Sequence, residues 1–369
     1  MAQLIQTSLR RNPVHASTAR SLPLAEWPDA ERSAWDSARR VGRRFAPGGP
    51  ARCFCQETCD DLERRYGQFL NYCRRTGRLE GSTEPGALVE PTAIAGFVVE
   101  LQARVRSVTV ARTIYKVCRT ARLIAPARDF SWLAEIAKDL ELVAEPMNKS
   151  GRLVTSERLV EAGLTLVQEA KLATSSSLRT RSVMARNGLM IAILALCPIR
   201  LKNFAGLEIG QSFVALDDSW WIALRKTKSG RPDERPIPNY INPAIQEYLE
   251  IYRPFLIGTH EGQGVVADAQ SENAKRNESL WVGCLGKPLS EVQIWRSVRD
   301  TTRATLGVEI CPHLVRASAA TTAALHAGDM PNLASALLHH TDRTVTDEHY
   351  NRAHSLSVAL QYARIIRSL

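Results

Sequence analysis

The chain has 369 residues, 44% of them hydrophobic and 23% charged, with a net charge of +10. These values are typical of a folded protein with room for two domains, and the lack of any run of 18 apolar residues argues against a membrane-spanning helix. The arginines near the N-terminus are not followed by a compact apolar segment, which argues against a secretory signal. The basic excess favours a polyanionic partner such as nucleic acid, because lysine and arginine release counterions when they bind phosphates.

Residues 1–50 are predicted to form a basic, flexible N-terminal arm. The segment is rich in arginine and ends in APGGP at residues 46–50, a composition typical of a linker. The stretch DAERSAWDSARRVGRRF within it is compatible with a helix.

Residues 51–145 show helical periodicity throughout, which predicts a small domain of four helices. The first helix carries an apolar stripe made of Cys55, Cys59, Leu62, Tyr66, Phe69, Leu70 and Cys73. Because these cysteines fit the stripe and form no C-x-x-C pair with Cys53, they are interpreted as core residues and not as zinc ligands. No disulfide framework is implied, and a reducing cytoplasm is the expected compartment. The other helices are expected near residues 91–105, 107–125 and 129–145.

The third of these helices carries four basic residues at helical spacing, Arg112, Lys116, Arg119 and Arg122. A run of charges is usually a solvated helix face. On a basic protein, a wholly basic run also favours phosphate contact, so these four side chains are candidate DNA contacts.

Residues 146–154 have the polar, Pro- and Gly-containing character of an interdomain linker. Residues 155–369 predict a second, mainly helical domain with one small sheet. Two helices are expected at 155–171 and 178–197, followed by a three-stranded antiparallel meander in QSFVAL, WWIALRK and RPIPNY. Helices are expected again from about residue 242 onward.

Polar side chains that can bind or attack a phosphate are spread along the second domain. They occur in the order Arg200, Lys226, Lys228, His313, Arg316, His340 and Tyr350. Arg200 follows the apolar helix, and the two lysines lie in the predicted turn between the last two strands. His313 and Arg316 are three residues apart and therefore lie on the same side of one helical turn.

This ordered set, Arg, Lys, His-x-x-Arg, His and Tyr, resembles the tyrosine recombinase (phage integrase) family. The resemblance implies a mainly α-helical protein with a helical core-binding domain at 51–145 and an α+β catalytic domain with a small antiparallel sheet at 155–369. It also implies a site-specific recombinase that cleaves and rejoins double-stranded DNA. Six positions in order, with the lysine in a β-hairpin, form a specific pattern, whereas any one of them alone is a weak signal.

The resemblance implies a role for each position. Arg200 and Arg316 would bind the non-bridging oxygens of the scissile phosphate and neutralise charge in the transition state. Lys228 would protonate the leaving 5′ oxygen, and His313 would hydrogen-bond the phosphate or assist proton transfer. Lys226, in the same turn, is a further candidate DNA contact.

In the same resemblance His340 would buttress the phosphate, and Tyr350 would be the nucleophile. A phenol with an ordinary pKa of about 10 needs an electropositive pocket or a base before it attacks, and the basic residues supply that field. The implied product is a 3′-phosphotyrosyl link to DNA, formed without ATP, metal or another cofactor.

The sequence departs from the family pattern at two positions. Asn203 stands where the family usually has Glu or Asp. Residues 338–340 read Leu-His-His where Leu-Gly-His is usual, which leaves the choice between His339 and His340 open. The interval of ten residues from His340 to Tyr350 matches family members whose sequence at the tyrosine reads T-T-E-x-H-Y.

The tail SLSVALQYARIIRSL, residues 355–369, has an amphipathic pattern. It either packs on its own domain or, as the resemblance implies, docks as an exchange helix on a neighbouring subunit of a homotetramer around two DNA duplexes. Tyr362 within it is a rival nucleophile. The family's activity places the protein in the cytoplasm, in association with the nucleoid.

Several alternatives stay open. Taken singly, an arginine after a helix or a histidine pair at a helix end is often only compatible with the helix dipole, and a tyrosine is often a half-buried packing residue. A type IB topoisomerase uses a similar residue set as a monomer, and a DNA-binding protein of the same fold could have lost catalysis, given Asn203. A metal hydrolase built on His339, His340, Asp347 and His349 lacks a recognisable ligand pattern.

Overall fold

The computed structural model of this chain describes residues 20–42, 47–79, 83–146, 152–225, 227, 232–258, 278–325 and 337–338. The chain divides into two units, Met1–Met147 and Asn148–Leu369. Both units are mainly helical, and the second also contains a small antiparallel sheet, which confirms the expected fold class. None of the described helices is long and apolar enough to cross a membrane.

The described helices of the first unit are α1 (Asp29–Arg39), α2 (Gln56–Arg75), α3 (Pro91–Gln102), α4 (Ser107–Ile124) and α5 (Ser131–Leu142). Helices α2 to α5 correspond to the four that the periodicity predicts. Pro91 occupies the first turn of α3, where its missing N–H has no hydrogen bond to lose. Helix α4 packs against each of the other four helices and is therefore the centre of this unit.

The apolar stripe of α2 forms a large part of this unit's core. Its buried members are Cys59, Leu62, Tyr66, Phe69, Leu70 and Cys73. Burial raises the pKa of the Cys73 thiol to about 12, so the thiol stays protonated at neutral pH and packs as an apolar group. Cys55 lies at the N-cap of α2 and is exposed, so the interpretation as a core residue is wrong for this cysteine.

The N-terminal segment differs from the expected flexible arm over residues 20–42; residues 1–19 lie outside the described residues. Trp27 and Trp35 are buried in the core of the first unit. Glu31 of α1 is also fully buried and accepts a hydrogen bond from a tyrosine hydroxyl of α2 at 3.1 Å. The two indoles bury enough apolar surface to anchor a segment whose arginine content had suggested an unattached arm.

The second unit is built around one central helix. Its elements in chain order are α6 (Ser156–Leu172), α7 (Leu178–Leu196), α8 (Leu201–Ala205), the sheet, α9 (Asn242–Glu247), a π-helix (Tyr248–Tyr252), α10 (Arg253–Ile257), α11 (Glu291–Leu306) and α12 (Pro312–Leu325). Helix α7 is buried along most of its length and packs against α6, α10, α11 and α12. A Cβ atom on Gly188 would lie 2.4 Å from the carbonyl oxygen of Gly163, so α6 and α7 pack backbone against backbone.

The sheet contains three antiparallel strands in the order β1-β2-β3: β1 (Phe213–Leu216), β2 (Ser219–Leu224) and β3 (Asp233–Ile237). Asp217, in the first turn, adopts the left-handed conformation with φ 51°. Strand β3 begins at Asp233, two residues before its expected start, where it pairs with Leu224. The earlier start places the charged residues Asp233 and Arg235 within the strand.

Candidate functional site

The end of α7 determines where Arg200 lies. Helix α7 stops at Leu196, and Pro198 follows, which has no backbone N–H to continue the helix. Arg200 is the N-cap residue of the next short helix, α8, and is half-buried. A break in the most deeply buried helix of the unit therefore places this arginine.

Arg316, on α12, is buried although it is charged. Its Nη1 donates to the carbonyl oxygen of Pro198, and its Nη2 donates to that of Leu338 at 3.0 Å. Burial, with the positive charges of Arg200 and Arg235, lowers the pKa of Arg316 to about 10, so it remains protonated at neutral pH. The structure thus brings Arg316 to the segment that carries Arg200, as the sequence pattern requires.

His313 lies in the first turn of α12, one turn before Arg316. It is exposed, whereas Arg316 is buried. The imidazole is therefore accessible to a ligand that approaches the start of α12.

Asn203 lies on α8, three residues after Arg200, and is half-buried. It lines an open cavity of about 450 Å³ together with Lys202 and Arg225. An amide both donates and accepts hydrogen bonds, whereas an ionised carboxylate only accepts them. Asn203 can therefore orient a neighbour as an acidic residue would, without reducing the positive charge of this surface.

Several expected site residues lie outside the described residues. They are Lys226, Lys228, His339, His340, Asp347, His349, Tyr350 and Tyr362. The tail at 355–369 also lies outside them, so the roles of all these residues stay predictions. Among the residues that the structure describes, no group of three or more His, Cys, Asp or Glu side chains is placed to hold a metal ion.

Strand β3 carries a buried ion pair that the sequence pattern did not predict. The Nε and Nη2 atoms of Arg235 donate to the two carboxylate oxygens of Asp233 at 2.8 and 2.9 Å. Both side chains lie on the buried face of β3, which also carries Ile237. Alternation along DERPI was the available signal, because residues 233, 235 and 237 share one face of a strand.

Cys197 connects this strand to the end of α7. Its thiol lies 3.9 Å from the carbonyl oxygen of Pro236, at hydrogen-bonding distance for sulfur. Burial raises the pKa of Cys197 to about 12, so the thiol is neutral. Strand β3, the end of α7 and α12 therefore meet around the guanidinium of Arg316.

The four candidate DNA contacts of the first unit all lie on α4. Arg112 and Arg122 are exposed. Lys116 pairs with Asp61 of α2 at 3.4 Å, and the guanidinium of Arg119 lies over a phenylalanine ring at 4.5 Å. Arg122 donates to the carbonyl oxygen of Phe130 at 3.4 Å, so of the two exposed side chains Arg112 is the better placed to meet a phosphate.

Residues 164–356 match the sequence profile of the phage integrase family. This range covers more than half of the chain and contains all six positions of the Arg, Lys, His-x-x-Arg, His and Tyr pattern. The chain belongs to the phage integrase family. It is a tyrosine recombinase, a DNA-binding enzyme of a family that breaks and rejoins DNA strands.

Among solved structures, the crystal structure of XerA recombinase is 17% identical over 85% of this chain and 94% of that chain, with a TM-score of 0.37. No significant sequence match was found among curated proteins.

Proposed function

We propose that this recombinase cleaves and rejoins specific DNA sites through a covalent 3′-phosphotyrosyl intermediate, with Tyr350 as the nucleophile. The observation that carries the proposal is the hydrogen bond from Arg316 to the carbonyl oxygen of Pro198, which brings Arg316 to the segment that carries Arg200. The family match also includes Tyr350 and ends before the rival Tyr362.

Arg200 and Arg316, close together in the fold, form a pair of positive charges that can bind a DNA phosphate. A phosphodiester carries one negative charge on its non-bridging oxygens, and attack by a phenolate brings a second. The guanidinium of Arg316 is already held by backbone carbonyls and needs little reorganisation, and a partly buried charge acts more strongly than one in water. The neighbouring positive charges that lower the pKa of Arg316 repel one another, and a bound phosphate relieves that repulsion.

In the proposed step, the oxygen of Tyr350 bonds to phosphorus while the bond from phosphorus to the 5′ oxygen breaks. His313 assists removal of the phenolic proton, and Lys228 gives a proton to the leaving 5′ oxygen. Arg200, Arg316 and His340 hold the phosphate. Rejoining reverses these steps, with the 5′ hydroxyl of a partner strand as nucleophile. One ester of phosphate replaces another, so the step requires neither ATP nor a metal ion.

The proposed assembly is a homotetramer on two duplexes, in which the tail at 355–369 docks on a neighbouring subunit. Residues 51–145 form the core-binding domain and contact DNA through α4, residues 146–154 form the linker, and residues 155–369 form the catalytic domain. The basic charge of the chain supports such extended phosphate contact.

The test of this function is a covalent adduct between protein and DNA. A binding sequence is first selected with the full-length protein from a random duplex library. It is then rebuilt as a set of suicide duplexes, each nicked close to one possible cleavage position, so that the released strand diffuses away and the adduct accumulates. With EDTA present, the wild type is expected to form an adduct on one duplex of the set.

The nucleophile is identified by two matched variants in that assay. Tyr350→Phe is expected to bind the selected duplex and form no adduct, whereas Tyr362→Phe is expected to cleave like the wild type. An adduct retained in Tyr350→Phe contradicts the assignment of the nucleophile. Cleavage that EDTA abolishes contradicts the metal-independent step.

A second function, DNA binding without cleavage, is favoured by one observation, the amide of Asn203 at the usual acidic position. In that case the wild type binds the selected duplex without forming an adduct, and Asn203→Asp restores the adduct. A topoisomerase-like strand transferase is distinguished by a plasmid assay with the same preparation. Such an enzyme relaxes a supercoiled plasmid as a monomer and does not exchange strands between two duplexes.

A further inference from the structure

The Asp233–Arg235 pair leaves one edge of a buried guanidinium without a partner. Asp233 engages Nε and Nη2 of Arg235, and the remaining nitrogen, Nη1, is buried with no hydrogen-bond partner. Among the described residues, it is the one guanidinium nitrogen in that condition. A buried donor without an acceptor is unfavourable in a folded protein and points to a ligand or a catalytic role.

Other buried arginines of the second unit show what a structural guanidinium looks like in this chain. Arg186 donates from Nη1 to the carbonyl oxygen of Val282 at 2.9 Å and from Nε to the side chain of Asn187 at 3.1 Å. Arg253 donates from Nε and Nη2 to the carbonyl oxygen of Ser279 at 3.0 and 2.7 Å. Arg235 differs because its buried Nη1 has no hydrogen-bond partner.

The free edge of Arg235 belongs to the neighbourhood of the two arginines of the recombinase pattern. Pro236 follows Arg235 in β3, and its carbonyl oxygen lies at hydrogen-bonding distance from the Cys197 thiol. Pro198 follows Cys197, and its carbonyl oxygen accepts the hydrogen bond from Arg316. The charges of Arg200 and Arg235 both act on Arg316. Three guanidiniums therefore share one locality, where β3, the segment after α7 and the first turns of α12 meet.

The charges of this locality favour an anion. Within the described part of the chain, three guanidiniums and the single carboxylate of Asp233 are coupled there. Their formal charges add to +2. A DNA phosphodiester carries one negative charge and gains a second when a phenolate attacks, so its transition state balances the cluster more fully than its ground state.

We propose that Arg235 is a third phosphate-binding arginine of the cleavage site, whose Nη1 donates to a non-bridging oxygen of the scissile phosphodiester when DNA is bound. Asp233 is the positioning residue, because its two hydrogen bonds fix the plane and direction of the guanidinium. This inference rests on the proposed function. It adds a residue that the recombinase pattern of the sequence does not include.

The first test measures adduct formation on two suicide duplexes that differ in one group. One carries the ordinary scissile phosphodiester, and the other carries an uncharged methylphosphonate there. Each variant is compared with the wild type on the same duplex. Arg235→Gln is expected to slow adduct formation about 100- to 1,000-fold on the diester and less than about tenfold on the methylphosphonate, because a neutral centre no longer needs that charge.

A second measurement needs no cleavage. In the Tyr350→Phe background, the logarithm of DNA affinity is plotted against the logarithm of salt concentration for the ordinary duplex. Loss of one phosphate contact is expected to reduce the slope by about 0.9 in Arg235→Gln. An unchanged slope overturns the proposed contact.

Matched variants separate contact from folding. Asp233→Asn combined with Arg235→Gln removes both charges and leaves no unpaired buried carboxylate, so it replaces the single variant if that one fails to fold. Arg186→Gln, which removes a buried arginine bound only to protein groups, is expected to lower thermal stability and leave the salt slope unchanged.

Equal losses on the diester and the methylphosphonate would assign Arg235 a structural role and overturn the inference alone. A wild type that forms no adduct on any duplex would remove the proposed function, and this inference with it. The two failures are therefore distinguishable.

Discussion

The protein carries two groups of basic side chains that are held in different ways. On α4 of the first unit, Arg112 is exposed, and the half-buried Lys116 pairs with the half-buried Asp61. In the second unit, Arg316 and Arg235 are buried and held by backbone carbonyls or a carboxylate. Salt screens the exposed group, whereas the buried group is fixed before DNA arrives. In the proposed function, burial and fixed geometry, more than the number of charges, therefore distinguish the side chains that bind the scissile phosphate from those that only bind DNA.

The largest effect is expected from removing a buried charge. Arg316→Gln should slow adduct formation about 1,000-fold while DNA affinity changes less than about tenfold, because this guanidinium acts mainly on charge that develops in the transition state. Suicide-duplex kinetics and a binding titration measure the two quantities. Arg253→Gln is the matched control, since Arg253 is equally buried and donates to the Ser279 carbonyl. A loss of the same size in that control would show that destabilisation, and not phosphate contact, explains the result.

A smaller effect is expected at the edge of the buried group. Asn203→Leu removes a half-buried hydrogen-bonding side chain three residues after Arg200 and should slow adduct formation roughly 3- to 10-fold. Asn203→Asp keeps an acceptor and should change the rate less than Asn203→Leu does. If the leucine variant cleaves as fast as the wild type, Asn203 has no orienting role. The buried group that matters for cleavage then consists of the arginines alone.

The smallest effect is expected from the exposed group. Arg112→Ala should weaken DNA binding about fivefold and reduce the slope of log affinity against log salt by about 0.9, with no change in the cleavage rate at saturating DNA. Lys116→Ala should change the DNA affinity and the salt slope less than Arg112→Ala does, because Asp61 already neutralises that ammonium group. Titrations at several salt concentrations test both variants. A cleavage defect in Arg112→Ala at saturation would break the distinction between the two groups.

The sequence was sufficient for the parts of the site that depend on local pattern. The spacing of His313 and Arg316 on one helix and the position of Arg200 after an apolar helix both follow from short stretches of sequence. The fold class followed in the same way from helical periodicity and from three alternating segments.

What the sequence did not reveal depends on contacts between distant residues. The predicted start of β3 was two residues too late, so Asp233 was assigned to a turn. Its pairing with Arg235 was therefore not predicted, because the two side chains share a face only when both belong to the strand. The arginine content of the N-terminal segment obscured the packing of Trp27 and Trp35, which requires a core formed by later helices. The hydrogen bond from Arg316 to Pro198 likewise depends on tertiary packing that no local pattern encodes.

The central proposal is that DNA strand cleavage occurs through a tyrosyl ester formed by Tyr350. The most direct measurement is mass spectrometry of the protease-digested adduct that forms on the suicide duplex. The account predicts a single modified peptide containing Tyr350, linked through its phenolic oxygen to the 3′ phosphate of the cleaved strand. A 3′ phosphate linked to Tyr362 or to a histidine, or cleaved DNA with no attached peptide, would contradict it.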